Sequence, residues 1–131
     1  MKLLLLFFML FSPLSSAGDF EDVKNAQGIS EYLKFDEQVE VAKLGVLKNK
    51  YIVYNYTSIW GRAKRASNRL IILNIQHQML GMYEITEWAI SIEDSCIMFP
   101  FDTEVGNNIC LINNNLPKAV WLDGEKFELF K

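Results

Sequence analysis

The sequence predicts a mainly β domain: an antiparallel sandwich or small barrel of about 7–8 short strands, with a short N-terminal helix. Three observations carry this expectation. Runs rich in β-branched and aromatic residues recur from residue 50 onward, and most of them alternate in polarity. Turn-forming clusters separate these runs at short spacing. Asp123-Gly124 lies between two alternating runs and is the strongest hairpin signal in the chain. The alternative is an α+β domain, with the N-terminal helix packed on one curved sheet.

The first element is not part of that domain. Lys2 precedes an unbroken apolar run over residues 3–11, followed by Ser12, Pro13 and the small residues Ser15 and Ala17. A spanning helix needs about 20 apolar residues, and this run stops earlier. Residues 1–17 therefore read as a cleaved secretory signal peptide, cut between Ala17 and Gly18. No later apolar run is long enough to span a bilayer. The expected location is exported, periplasmic or extracellular, and residues 18–131 form one small domain.

Within it, residues 18–47 are a mixed N-terminal segment. Asp19 is placed to cap a short helix ending near Gly28. Residues 30–35 can form a further helical turn, and Val39, Val41 and Leu44 are compatible with a strand. Residues 50–131 are the β-rich core. In the run 51–60, Ile52, Tyr54, Tyr56 and Trp60 share one parity, and Tyr51, Val53, Thr57 and Ile59 share the other. Both faces are apolar, so this strand is expected to be covered on both sides. A basic loop follows at 61–69, then a strand at 70–78 that contains His77. Gly81 marks a bulge or turn. Residues 82–92 alternate in two pieces, and 93–95 form a turn.

Residues 96–101 and 107–112 form the next expected hairpin. Centred on Thr103, it sets Cys96 opposite Cys110, and a cross-strand disulfide follows. With Gly106 as the left-handed residue of a three-residue loop, Cys96 faces Asn114 instead. In an oxidising compartment the two cysteines are most simply one disulfide. Asn113, Asn114 and Asn115 read as a loop, and 118–122 with 126–130 as the last hairpin.

Composition narrows the function. The net charge of −3 becomes one unit more negative once Lys2 is removed. That does not suit nucleic-acid binding, which needs basic patches to neutralise phosphates. No phosphate loop, nucleophile elbow, zinc helix or calcium loop occurs. Two cysteines and one histidine, without a close Cys pair, do not make a zinc site. No metal or cofactor is expected. His77 is the sole histidine and sits within a strand pattern, so it reads as a sheet residue rather than a catalytic base. Glu84 and Glu87 face opposite sides of a strand and make a poor general acid–base pair. Asn55-Tyr56-Thr57 is a glycosylation sequon, relevant only in a host that uses it.

The candidate contact residues are Trp60, Arg62, Lys64, Arg65 and Arg69, a dense basic group on an acidic chain, with Asp102 and Glu104 in the second loop. Such a patch fits an acidic protein surface, a phosphate or an anionic glycan. Trp60, Trp88 and Trp121 serve either as core filling or as exposed anchors. The leading expectation is an exported protein that binds and inhibits or neutralises another protein, of immunity-protein or hydrolase-inhibitor type, with no catalysis of its own. A glycan- or small-ligand-binding β domain comes second, and a carboxylate-based hydrolase third.

Overall fold

A computed structural model describes residues 18–29, 33, 38–63, 65–101 and 106–130. Residues 1–17, where a signal peptide is expected, together with Lys64, Asp102 and Glu104, lie outside the described residues, as does most of the helical turn expected at 30–35.

A short helix, α1, covers residues 18–24. Nine strands follow among the described residues: β1 (Gln38–Leu47), β2 (Tyr51–Trp60), β3 (Arg65–Asn74), β4 (Met79–Ile85), β5 (Ser91–Glu93), β6 (Cys96–Met98), β7 (Asn108–Cys110), β8 (Ala119–Leu122) and β9 (Glu125–Phe130). They form a six-stranded sheet in the order β1-β2-β3-β4-β9-β8 and a three-stranded sheet in the order β5-β6-β7. Every strand pairing is antiparallel. The molecule is thus mainly β and sandwich-like, with a short N-terminal helix.

The large sheet is buried on both faces. Residues 51–56 of β2 are all buried, and so is the run Leu70–Leu73 in β3. One face packs Ile52, Tyr54, Ile71, Leu73 and Met82 against Val23, Ala26 and Ile29 of the N-terminal segment. The opposite face packs Val53, Leu70, Ile72 and Tyr83 against Ile97, Phe99, Ile109 and Leu122. Burying such side chains contributes about 1.5–3 kcal/mol each. Two covers on one sheet explain why residues 51–56 of β2 and 70–73 of β3 are buried on both sides.

The N-terminal segment is tied to the sheet by its backbone. Gln27 N–H donates to the His77 carbonyl at 3.1 Å, and Met79 N–H donates to the Gln27 carbonyl at 2.9 Å. Asp19 accepts from the Lys43 N–H at 2.9 Å. That bond occupies an outward-pointing donor of edge strand β1, a position otherwise open to pairing with another chain.

Two expectations about element boundaries are corrected. The stretch 61–69 is not a loop: strand β3 already begins at Arg65 and pairs with Trp60. The strand expected at 70–78 ends at Asn74, and His77 sits exposed in the following turn with φ 63. The cause is the partner strand. The ten-residue β2 pairs along its whole length and draws the polar Arg65–Arg69 stretch into the ladder, overriding its weak β-propensity. The bulge expected at Gly81 is present, as a register shift between Ile72 and Leu73 opposite Gly81 and Met79.

The β6–β7 hairpin has the Thr103-centred register. Cys96 pairs with Cys110, and their sulfurs are bonded with the Cα atoms 4.0 Å apart. Leu111 N–H donates to the Ser95 carbonyl, which makes the cysteine pair a non-hydrogen-bonded one. Side chains approach most closely at such pairs. The β8–β9 turn is Asp123-Gly124, with φ 51 and 82, as an Asp-Gly two-residue hairpin requires.

Candidate functional site

Between β4 and β5 the chain crosses from one sheet to the other over residues 86–90. Side chains of the large sheet fasten each step. Asn68 Nδ2 donates to the Thr86 carbonyl at 3.0 Å. Trp88 Nε1 donates to Thr57 Oγ1 at 2.6 Å, and Thr57 donates in turn to Asn68 Oδ1 at 2.6 Å. Asn55 holds Ala89 by both of its backbone groups, donating to the carbonyl at 2.9 Å and accepting from the N–H at 3.0 Å. The donors and acceptors run in one consistent direction, so every member of this network is satisfied. Asn55 is 3% exposed, a buried polar residue within the sheet. Both reactive members of the sequon, Asn55 and Thr57, are therefore spent inside the fold.

The crossover leaves Glu87 and Ile90 in solvent, with Ile90 62% exposed. The same end of the large sheet carries the β2–β3 turn. Trp60 closes β2 and is 46% exposed. The Arg65 guanidinium stands over its ring, 5.9 Å from the centroid, a cation–π contact that orders both side chains. Arg62 is exposed in the turn itself. Of the sequence-predicted contact residues, the structure brings Trp60, Arg62 and Arg65 together.

Arg69 stands apart from that tip. It lies four residues further along β3, on the same face as Arg65, and leans the other way. Its Nε contacts Ser67 Oγ at 3.2 Å, its Nη1 approaches Met82 Sδ at 3.4 Å, and its guanidinium lies 5.2 Å from the Phe130 ring centroid. Phe130 borders an open groove of about 500 Å³ lined by Leu80, Lys118, Ala119, Glu128 and Leu129. Trp121, on edge strand β8, is 59% exposed. Two of the three tryptophans therefore face solvent, while Trp88 is half-buried and serves the crossover.

Two tyrosines are electrostatically perturbed. Burial, reinforced by the charges of Asp22 and Asp19, pushes the Tyr54 phenol up to about 12. Its hydroxyl finds no hydrogen-bond partner of proper geometry among the described residues. Burial also raises Tyr83, whose hydroxyl donates to the Pro117 carbonyl. Both groups are internal and remain protonated at neutral pH. Among the described residues no set of three His, Cys, Asp or Glu side chains is grouped to hold a metal ion, and no helix is long and apolar enough to cross a membrane.

Sequence reasoning missed the crossover and its fastening. Asn55 and Ala89 lie 34 positions apart, and nothing local in either segment signals the pairing. Comparison with protein-family models, with curated proteins and with solved structures gave no match.

Proposed function

We propose that this chain is an exported binding protein that inhibits or neutralises another protein by contact, with the β2–β3 turn and the adjoining crossover as its contact end. The observation that supports this most is Trp60. A large aromatic side chain stands 46% exposed, ordered by Arg65, at the tip of a fully paired ten-residue hairpin. Rigid aromatic and arginine side chains are the usual anchors of protein interfaces, and ordering them in advance lowers the entropy lost on binding. The crossover adds a second rigid element, since its side-chain fastenings hold Glu87 and Ile90 in place before any partner arrives.

The test is capture of a partner from the secreted or periplasmic fraction of the source organism, run in parallel with wild type and with a Trp60→Ala, Arg62→Glu variant of equal thermal stability. One stoichiometric protein retained by the wild type and lost by the variant supports the reading. Equal retention by both removes this end from the interface. A glycan-binding reading draws on Trp121, which is 59% exposed. Quenching of tryptophan fluorescence by an oligosaccharide, abolished by Trp121→Ala, is the result that favours it.

A further inference from the structure

One motif of the sequence is left unused by the binding reading: the sequon Asn55-Tyr56-Thr57, beside which no other Asn-X-Ser/Thr occurs in the chain. Its acceptor lies in the interior of the large sheet. Asn55 pairs with Ala42 of β1 on one side and with Leu70 of β3 on the other. Its side chain meets the crossover, where it is bonded to both backbone groups of the buried Ala89. Tyr56 is buried on the opposite face, against the N-terminal segment. The Thr57 hydroxyl, which a glycosyl-transferring enzyme must also read, accepts from Trp88 and donates to Asn68. All three residues of the motif are thus engaged inside the fold.

We infer that Asn55 is an N-glycan acceptor only in the unfolded chain, and that glycan transfer and folding exclude each other at this residue. The donor is a lipid-linked oligosaccharide. In the transfer a bond forms between Asn55 Nδ2 and C1 of the first sugar, the bond from C1 to the lipid diphosphate breaks, and one amide proton passes to a base of the enzyme. The attacking nitrogen is the atom that donates to the Ala89 carbonyl at 2.9 Å, on a residue only 3% exposed. Neither enzyme nor donor reaches it there. Fraying does not open the site either, because Asn55 lies in mid-strand with a partner strand on each side.

The reverse holds once a glycan is attached. An N-linked glycan is bulky and polar and belongs at the surface. On Asn55 it has no exit, since β1 and β3 flank it and the crossover lies across it. Closing the crossover then buries sugar hydroxyls without partners and strands both backbone groups of Ala89. Ala89 and Trp88 belong to the core on this face of the sheet, so that core stays open. In a compartment that holds the transferase, each chain therefore commits at Asn55 either to the sugar or to the fold.

The experiment presents a purified oligosaccharyltransferase and its lipid-linked donor with three acceptors, and reads the intact mass and the modified site. The acceptors are the folded chain, a synthetic peptide of residues 50–62, and the folded chain with a flexible Asn-Ala-Thr tail added after Lys131. The peptide and the added tail are expected to be modified. Asn55 of the folded chain is expected to react at least about a thousandfold more slowly than the peptide, because a native domain is unfolded about one part in a thousand of the time or less. In a second arm the chain is diluted from urea into transferase and donor. Any modified fraction is expected to be protease-sensitive and to lack the melting transition of the unmodified fraction. Modification of folded Asn55 at a rate near the peptide's, or modified chains that melt like the unmodified ones, overturns the proposal. Refusal of the peptide or of the tail overturns it too, since the burial of Asn55 is then not what protects it.

Discussion

Replacing Asn55 tests whether the crossover fastening contributes to stability. Asn55→Ala removes both bonds to Ala89, whose own residue is 5% exposed. A buried N–H and a buried C=O are then stranded, at about 1–3 kcal/mol each. The expected loss is about 2–5 kcal/mol, a large share of the 5–15 kcal/mol that holds a typical domain. Asn55→Asp separates the two bonds. The new carboxyl still accepts from the Ala89 N–H, but when ionised it has no proton for the carbonyl 2.9 Å away. Burial and the facing carbonyl raise its folded-state pKa above the unfolded value of about 3.9. The folded state then binds the proton more tightly, so the deficit is full at neutral pH and shrinks as pH falls through the folded-state pKa. Urea unfolding of wild type and both variants, at about pH 7 and about pH 4.5, measures this. A loss below about 1 kcal/mol for Asn55→Ala, or a deficit for Asn55→Asp that ignores pH, would refute the reasoning.

Other predictions follow from single contacts. Tyr54 ionises near 10 when unfolded but near 12 when folded, so its contribution is complete below about 10 and lost as pH rises toward 12, amounting to roughly 2–3 kcal/mol. Tyr54→Phe should flatten that alkaline decline and leave neutral-pH stability equal or about 1 kcal/mol higher, since an unpaired buried hydroxyl is removed; an unchanged pH profile contradicts this. Reducing the Cys96–Cys110 bond should cost about 3 kcal/mol and lower the melting temperature by roughly 10 °C, and no shift after verified reduction would show the bond to be structurally idle. Gly106 has φ 107, and a Cβ there would run into the Trp121 carbonyl oxygen. Gly106→Ala should therefore cost more than about 2 kcal/mol and break the Asp123 N–H bond to the Gly106 carbonyl. Gly61→Ala, with φ 79 but no atom within 4 Å, should cost only about 1 kcal/mol; equal losses in the two variants would contradict the close approach at Gly106.

The parts of the fold that were legible in the sequence are those whose signals are local. The run Tyr51–Trp60, the Asp123-Gly124 hairpin and one of the two cysteine registers emerged from alternation and turn chemistry, and the structure contains all three. Burial on both faces hid more. It erased the alternation in Leu70–Leu73, and the boundary of β3 was then placed by composition, which puts arginines in loops. The sequence of the ten-residue β1 is no more than β-compatible, because Glu40, Lys43 and Gly45 interrupt it and its order depends on pairing with β2. At the proposed contact end, Trp60, Arg62 and Arg65 stand out in the sequence as residue types, but the separate orientation of Arg69 over Phe130 depends on β9, distant in sequence. The Asn55 fastening was invisible for the same reason, and its residues were noticed only as a sequon.

The covering of the large sheet from two sides sets an order of assembly. Strands β1 to β4 form an uninterrupted meander in which each strand pairs with the next in sequence, so the entropy of closing each loop is small. Both covers come from outside this stretch: Val23, Ala26, Ile29 and Leu33 precede it, and Ala89, Ile97, Phe99, Ile109 and Leu122 follow it. The meander can therefore form first, but it then exposes two apolar surfaces at once, the state in which a chain is most prone to associate with its own copies. Pulse-labelled hydrogen exchange should protect the amides of Tyr54 and Ile71 before those of Ile97 and Ile109. A variant lacking residues 18–29 should aggregate from the uncovered face even where its remaining strands pair correctly.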